Sequence, residues 1–134
     1  MMVVDASVLV EVLLNRPSGE RLAHRLSDPD ETLHAPHLVD LEVTQTLRRY
    51  EAAGEMSPER ARQALLAFLQ MPLERHSHWP FLDRIWELRR NLTAYDAAYL
   101  ALAEALGAPL LTCDRALASA PGHRAFVELV ESTS

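Results

Sequence analysis

Four acidic residues interrupt stretches that are otherwise apolar. Asp5 closes the run Met2-Val3-Val4 and is followed by Ala6-Ser7-Val8-Leu9-Val10. A short apolar run ending in a carboxylate reads as a buried strand whose last residue points into a site. Glu42 sits among Leu38, Leu41 and Val43 on a helical stretch. Asp96 is the one charge in Thr93-Ala94-Tyr95-Asp96-Ala97-Ala98-Tyr99-Leu100-Ala101-Leu102-Ala103, a helix apolar almost all round and so expected to be buried. Asp114 follows the strand-like run Leu110-Leu111-Thr112-Cys113.

Each acid taken alone has a plain structural role. Asp5 suits a strand-ending turn. Asp96 complements a helix dipole, and Asp114 caps the helix after it. Together they suggest more. A lone buried carboxylate is costly, and several close together raise one another's pKa. Divalent cations relieve both costs. Magnesium and manganese prefer oxygen ligands, and on carboxylate platforms they cleave phosphate esters.

The elements that must bring these residues together follow from periodicity and turn residues. Strands are expected at Met2–Val4, Thr32–Ala35, Leu73–His76, Leu110–Cys113 and, edge-like, Ala125–Val130. Helices are expected at Ser7–Leu14, from Ser18 or Gly19 to Leu26, His37–Tyr50, Pro58–Leu69, Trp79–Arg90, Thr93–Leu106 and Arg115–Ser119. Ser57 and Thr93 are the expected caps, with Pro58 at the first helical position, and Ser7 is a further cap candidate. This alternation implies an α/β fold with a mainly parallel central sheet of about five strands and helices on both faces. Ligands of such sheets gather at the carboxyl ends of the strands, where Asp5 and Asp114 are placed.

The length of 134 residues suits one domain spanning 1–134, with a frayed Glu131–Ser134 tail. No apolar run is long enough to span a membrane, and the first residues lack the pattern of a signal peptide. A single cysteine excludes an internal disulfide and a cysteine-based zinc site, so a cytoplasmic location is expected. The net charge of −6 argues against a module that simply coats nucleic acid. All 13 basic side chains other than histidine are arginine. The missing lysine disfavours a receiver domain, and Ser7 replaces the second aspartate of an Asp-x-Asp phosphatase.

The motifs around Asp5, the Glu42 helix after Pro36, the run Leu92–Ala103 and Leu110–Asp114 stand in an order that resembles the PIN-domain ribonucleases, above all the VapC toxins of toxin–antitoxin pairs. The resemblance covers the whole chain and removes none of the acids. It implies a single PIN-like domain and a magnesium- or manganese-dependent endoribonuclease that cuts RNA by metal-activated water. It also implies a homodimer inhibited by a small antitoxin protein. Asp5, Glu42, Asp96 and Asp114 would bind metal, with Ser7 and Thr112 supporting them through hydrogen bonds. Thr46 stands where an amide is expected, four residues after Glu42. Arg48, Arg89, Arg90 or Arg115 would hold flanking phosphates. The rival reading within the fold is a non-catalytic module that only binds RNA or a protein.

Other features carry less. His76-x-His78 would point two rings to one side of a strand, but the pair abuts a helix start. Cys113 reads as a small buried hydrophobe. Tyr95, Tyr99, Trp79 and Trp86 read as core, with Tyr95 bordering the site. The four glycines form no phosphate-cradling loop.

Overall fold

The computed structural model describes residues 1–131. Five parallel strands, β1 (Met2–Val4), β2 (Leu33–Pro36), β3 (Leu73–His76), β4 (Leu110–Thr112) and β5 (Val127–Leu129), form one sheet in the order β3-β2-β1-β4-β5. Every residue of β1, β2 and β4 is buried, so both faces of the central strands are covered. This explains why these strands read as continuous apolar runs and not as alternating ones.

The chain leaves β1 toward β2 and β3, then returns to place β4 on the other side of β1. The direction of strand addition therefore reverses between β1 and β4. In an open parallel sheet this reversal opens a crevice beyond the carboxyl ends of the two strands. Pairing Val4 with Leu111, and the Asp5 N–H to Leu111 oxygen bond of 3.0 Å, sets Asp5 and Asp114 on the two sides of that crevice.

The helices are α1 (Ala6–Leu13), α2 (Gly19–Leu26), α3 (Val39–Ala52), α4 (Pro58–Leu69), α5 (Leu82–Glu87), α6 (Ala94–Leu106) and α7 (Arg115–Ser119). Helices α1 to α4 pack on one another, whereas α6 lies against β1, β2 and β4 with α5 beside it. The run Ala97–Ala103 of α6 is buried throughout, as expected of a helix apolar on all sides. The Thr93 hydroxyl accepts from the Asp96 N–H at 3.2 Å, and Gly107 closes α6 at φ 62°, a left-handed conformation that glycine adopts without strain. Ser57 caps α4 through the Arg60 N–H at 3.1 Å. Gly19 opens α2 hard against α1, since a Cβ there would lie 2.4 Å from the Glu11 oxygen. Among the described residues no helix is long and apolar enough to cross a membrane.

Several sequence expectations need correction. Ser7 does not cap α1. Asp5 occupies that position, and the Ser7 hydroxyl turns to the Asp5 carboxylate instead. Helix α3 begins at Val39, not His37, and Leu41 is exposed beside the site. The expected Trp79–Arg90 helix is a 3₁₀ turn (Trp79–Phe81) followed by the short α5, which closes in successive turns after Glu87. Trp79, Trp86 and Tyr95 are exposed, and only Tyr99 of the four expected core aromatics is buried. The expected frayed tail falls outside the described residues from position 132 onward.

Candidate active site

Asp5, Glu42, Asp96 and Asp114 line one cleft of about 590 Å³ at the β1–β4 crevice. The four come from the end of β1, the first turn of α3, the first turn of α6 and the cap of α7. In a parallel sheet with right-handed crossovers, strand carboxyl ends and the helix starts that follow them share one side, so the topology itself delivers the cluster.

Asp5 is the centre of a hydrogen-bond frame. Its Oδ2 accepts from the Thr112 hydroxyl at 2.7 Å and from the Ser7 hydroxyl at 2.9 Å. Those hydroxyls in turn accept backbone N–H groups of the β4–α7 connection, Thr112 from Asp114 and Ser7 from Cys113, each at 3.0 Å. The two hydroxyls thus lock the loop carrying Asp114 to the Asp5 carboxylate. The Asp114 Oδ1 accepts from the N–H groups of Ala116 and Leu117, at 2.8 and 3.4 Å. Glu42 accepts from the fully buried Tyr99 hydroxyl at 2.6 Å. Thr46 Oγ1 donates to the Glu42 carbonyl of its own helix at 2.9 Å, and both Thr46 and its neighbour Gln45 line the cleft.

The electrostatics are those of acids that repel one another. Burial is the largest cause of the raised pKa of Asp5. The bonds from Thr112, Ser7 and the Ala6 backbone oppose it, and the charge of Asp114 adds to it. Burial likewise raises Glu42, against the Tyr99 bond, and Asp5 and Asp96 raise it further. Asp96 is raised by burial and then by Asp5 and Asp114. The Tyr99 hydroxyl is pushed well above its ordinary value by burial and by the facing Asp5 and Glu42, which keeps it a proton donor.

Two parts of the cleft went unread in the sequence. Glu11 is a fifth acid lining it, almost wholly buried, and bonded to Arg16 at 3.0 Å and Ser18 at 2.8 Å. Its signal was of the same kind as that of Asp96, one acid in an apolar helix. The basic lining residues are Arg16 and Arg49; Arg48, Arg89, Arg90 and Arg115 do not line the cleft. Arg16 lies over the Tyr50 ring at 5.3 Å, and Arg89 is occupied with Trp86, stacking on its ring at 4.3 Å. Cys113 is half-buried, packed against the core on one side and lining the cleft on the other. The exposed Tyr95 does border the site.

The profile of the PIN domain matches residues 2–123. The chain belongs to the PIN-domain family. Ribonuclease VapC12 of Mycobacterium tuberculosis is 42% identical over 130 residues, covering 97% of this chain and 99% of that protein. Ribonuclease VapC1 of the same organism is 42% identical over 129 residues, covering 96% of each chain. Both matches run nearly end to end, which places the PIN domain described here among the VapC proteins. The fold is shared with PAE2754 from Pyrobaculum aerophilum, at a TM-score of 0.62 and 23% identity over 94% of this chain and 87% of that one. It is also shared with M. tuberculosis VapC20, described as a sarcin–ricin loop cleaving toxin, at a TM-score of 0.59 and 19% identity over 89% of this chain and 94% of that one.

Proposed function

We propose that this VapC-family PIN domain is an endoribonuclease dependent on magnesium or manganese, and the toxin of a toxin–antitoxin pair. The observation that carries the reading is the meeting of Asp5, Glu42, Asp96 and Asp114 in one cleft, where burial and mutual charge raise three of their pKa values. The donor set is all oxygen, the cleft is open, and its acids lack a full complement of cations, which suits a hard divalent ion. Asp5, Glu42, Asp96 and Asp114 would hold it.

When bound, such an ion lowers the pKa of water and offsets the charge that develops on a phosphoryl group. The chain supplies the rest. Ser7 and Thr112 fix the rotamer of Asp5 and leave its carboxylate aimed into the cleft. Tyr99 does the same for Glu42. Arg16 and Arg49 offer positive charge on the cleft wall, where flanking RNA phosphates would lie. The relatives' names, VapC ribonucleases, support RNA as substrate, and membership of the VapC proteins supports a small antitoxin protein as partner. Homodimerisation and a cytoplasmic location complete the reading, with residues 1–134 acting as one unit.

The test is cleavage of a structured RNA with added magnesium or manganese, comparing the wild type with Asp96→Asn. Cleavage by the wild type alone is expected. Equal cutting by both proteins would sink the assignment.

A further inference from the structure

A second polar cluster lies on the far side of β2, at the sheet edge formed by β3. His34 of β2 pairs in register with Glu74 of β3, and His76 follows two residues later on the same face. His34 Nδ1 lies 2.9 Å from His76 Nε2 and 3.1 Å from Glu74 Oε2. One nitrogen from each ring and one Glu74 oxygen all lie within 4.8 Å of one another. His34 is buried, His76 half-buried and Glu74 exposed. None of the three lines the acidic cleft.

From this geometry we infer a binding site for a borderline divalent transition metal such as Zn²⁺, held by His34 Nδ1, His76 Nε2 and the Glu74 carboxylate. Two imidazoles and one carboxylate are a ligand set that Zn²⁺ takes, with water filling the fourth, solvent-facing position. Ligands of a tetrahedral Zn²⁺ with bonds of 2.0–2.1 Å stand about 3.3 Å apart, so the His34–His76 and His34–Glu74 pairs need open by only a few tenths of an ångström, and the exposed Glu74 side chain is free to take up the remainder. His34 Nε2 is 2.8 Å from the Thr32 hydroxyl. The tautomer that donates Nε2–H to Thr32 leaves the Nδ1 lone pair facing both other ligand atoms, which is the outer contact that metal-binding histidines make. In the other tautomer Nδ1–H donates to Glu74 or His76 while the Thr32 hydroxyl donates to Nε2, so metal binding would select the Nε2–H form. The bound metal would fasten edge strand β3 to β2. Edge strands are the part of a sheet most open to stray pairing, so the fastening has a physical use.

The site stands apart from the proposed RNA cleavage and is tested separately. Full-length protein stripped with EDTA is titrated with Co²⁺, in excess Mg²⁺, and its ligand-field absorption is followed. One Co²⁺ per chain is expected in the wild type and in Asp96→Asn, displaced by Zn²⁺. The band should vanish in His76→Ala and weaken in Glu74→Gln, an exposed position whose change leaves the fold intact. Thr32→Val should lower the affinity by about 10–100-fold. The inference is overturned if the wild type gives no band, if the band survives His76→Ala, or if Asp96→Asn removes it.

Discussion

Helix α6 carries a carboxylate near each end, Asp96 in its first turn and Glu104 near its close, in opposite electrostatic settings. Glu104 accepts both arms of Arg84, at 2.8 and 3.0 Å, and the Arg124 N–H at 2.6 Å. Its pKa is lowered, chiefly by the Arg84 bond. Asp96 faces other acids, and its pKa is raised. One helix therefore holds a carboxylate whose charge is answered by Arg84 and another that faces further acids, as the proposed cation site requires. The first kind of carboxylate holds structure together. The second lowers the stability of the empty protein and is tolerated where it serves a ligand, as perturbed carboxylates in clefts commonly do.

The contrast can be broken by substitution, and the largest effect should fall on activity. Asp96→Asn is expected to lower RNA cleavage at least about 100-fold, because several kcal/mol of transition-state stabilisation are at stake. Single-turnover cleavage assays with saturating magnesium would measure this. Glu104→Gln should leave cleavage per folded molecule unchanged. It should lower stability by about 1–3 kcal/mol, since Arg84 and the Arg124 N–H lose a partly buried charged acceptor. Urea denaturation would measure that loss.

Support of Asp5 should matter less than the acids themselves. Thr112→Val removes one bond to Asp5 and one from the Asp114 N–H. A loss of about 10–100-fold in metal affinity or activity is expected, read by Mn²⁺ titration and cleavage rates.

The smallest effect is in the pH dependence of the metal-free protein, where the two ends of α6 have opposite signs. A carboxylate with a raised folded pKa binds more protons folded than unfolded. It costs nothing below its ordinary range and destabilises progressively as pH rises through that range. Asp5, Glu42 and Asp96 are of this kind. Glu104, whose pKa is lowered, adds stability above its ordinary pKa and loses it as pH falls through the folded value. In EDTA, Asp96→Asn should therefore gain on the wild type at neutral pH and lose the gain below about pH 4. Glu104→Gln should show its deficit at neutral pH and lose it in acid. Melting curves at several pH values distinguish the two.

Much of this was legible in the sequence. The alternation of apolar runs and helical stretches indicated a parallel sheet. The four acids stood out because each interrupts an apolar context that a buried element requires. What escaped depends on information that a linear reading lacks. Trp79 and Trp86 look like core, yet the expected long helix is a 3₁₀ turn carrying Trp79 and the short α5 carrying Trp86, and both side chains are exposed. The partner of His76 proved to be His34 on the neighbouring strand, not His78, because strand register is set by the fold. Arg16 and Arg49 could not be told from eleven other arginines until α1 and α3 were packed together. Glu11 carries a readable signal of its own, an acid within the apolar α1.

The acids at the β1–β4 crevice set up an electrostatic demand that a bound cation would meet. The most direct measurement is the melting temperature of the wild type and Asp96→Asn at neutral pH, in EDTA and then in saturating Mg²⁺. Asp96→Asn is expected to melt at or above the wild type in EDTA, and Mg²⁺ to raise the wild type while leaving the variant nearly unmoved. A variant that melts well below the wild type in EDTA, beside a wild type indifferent to Mg²⁺, would contradict this and make Asp96 a structural residue.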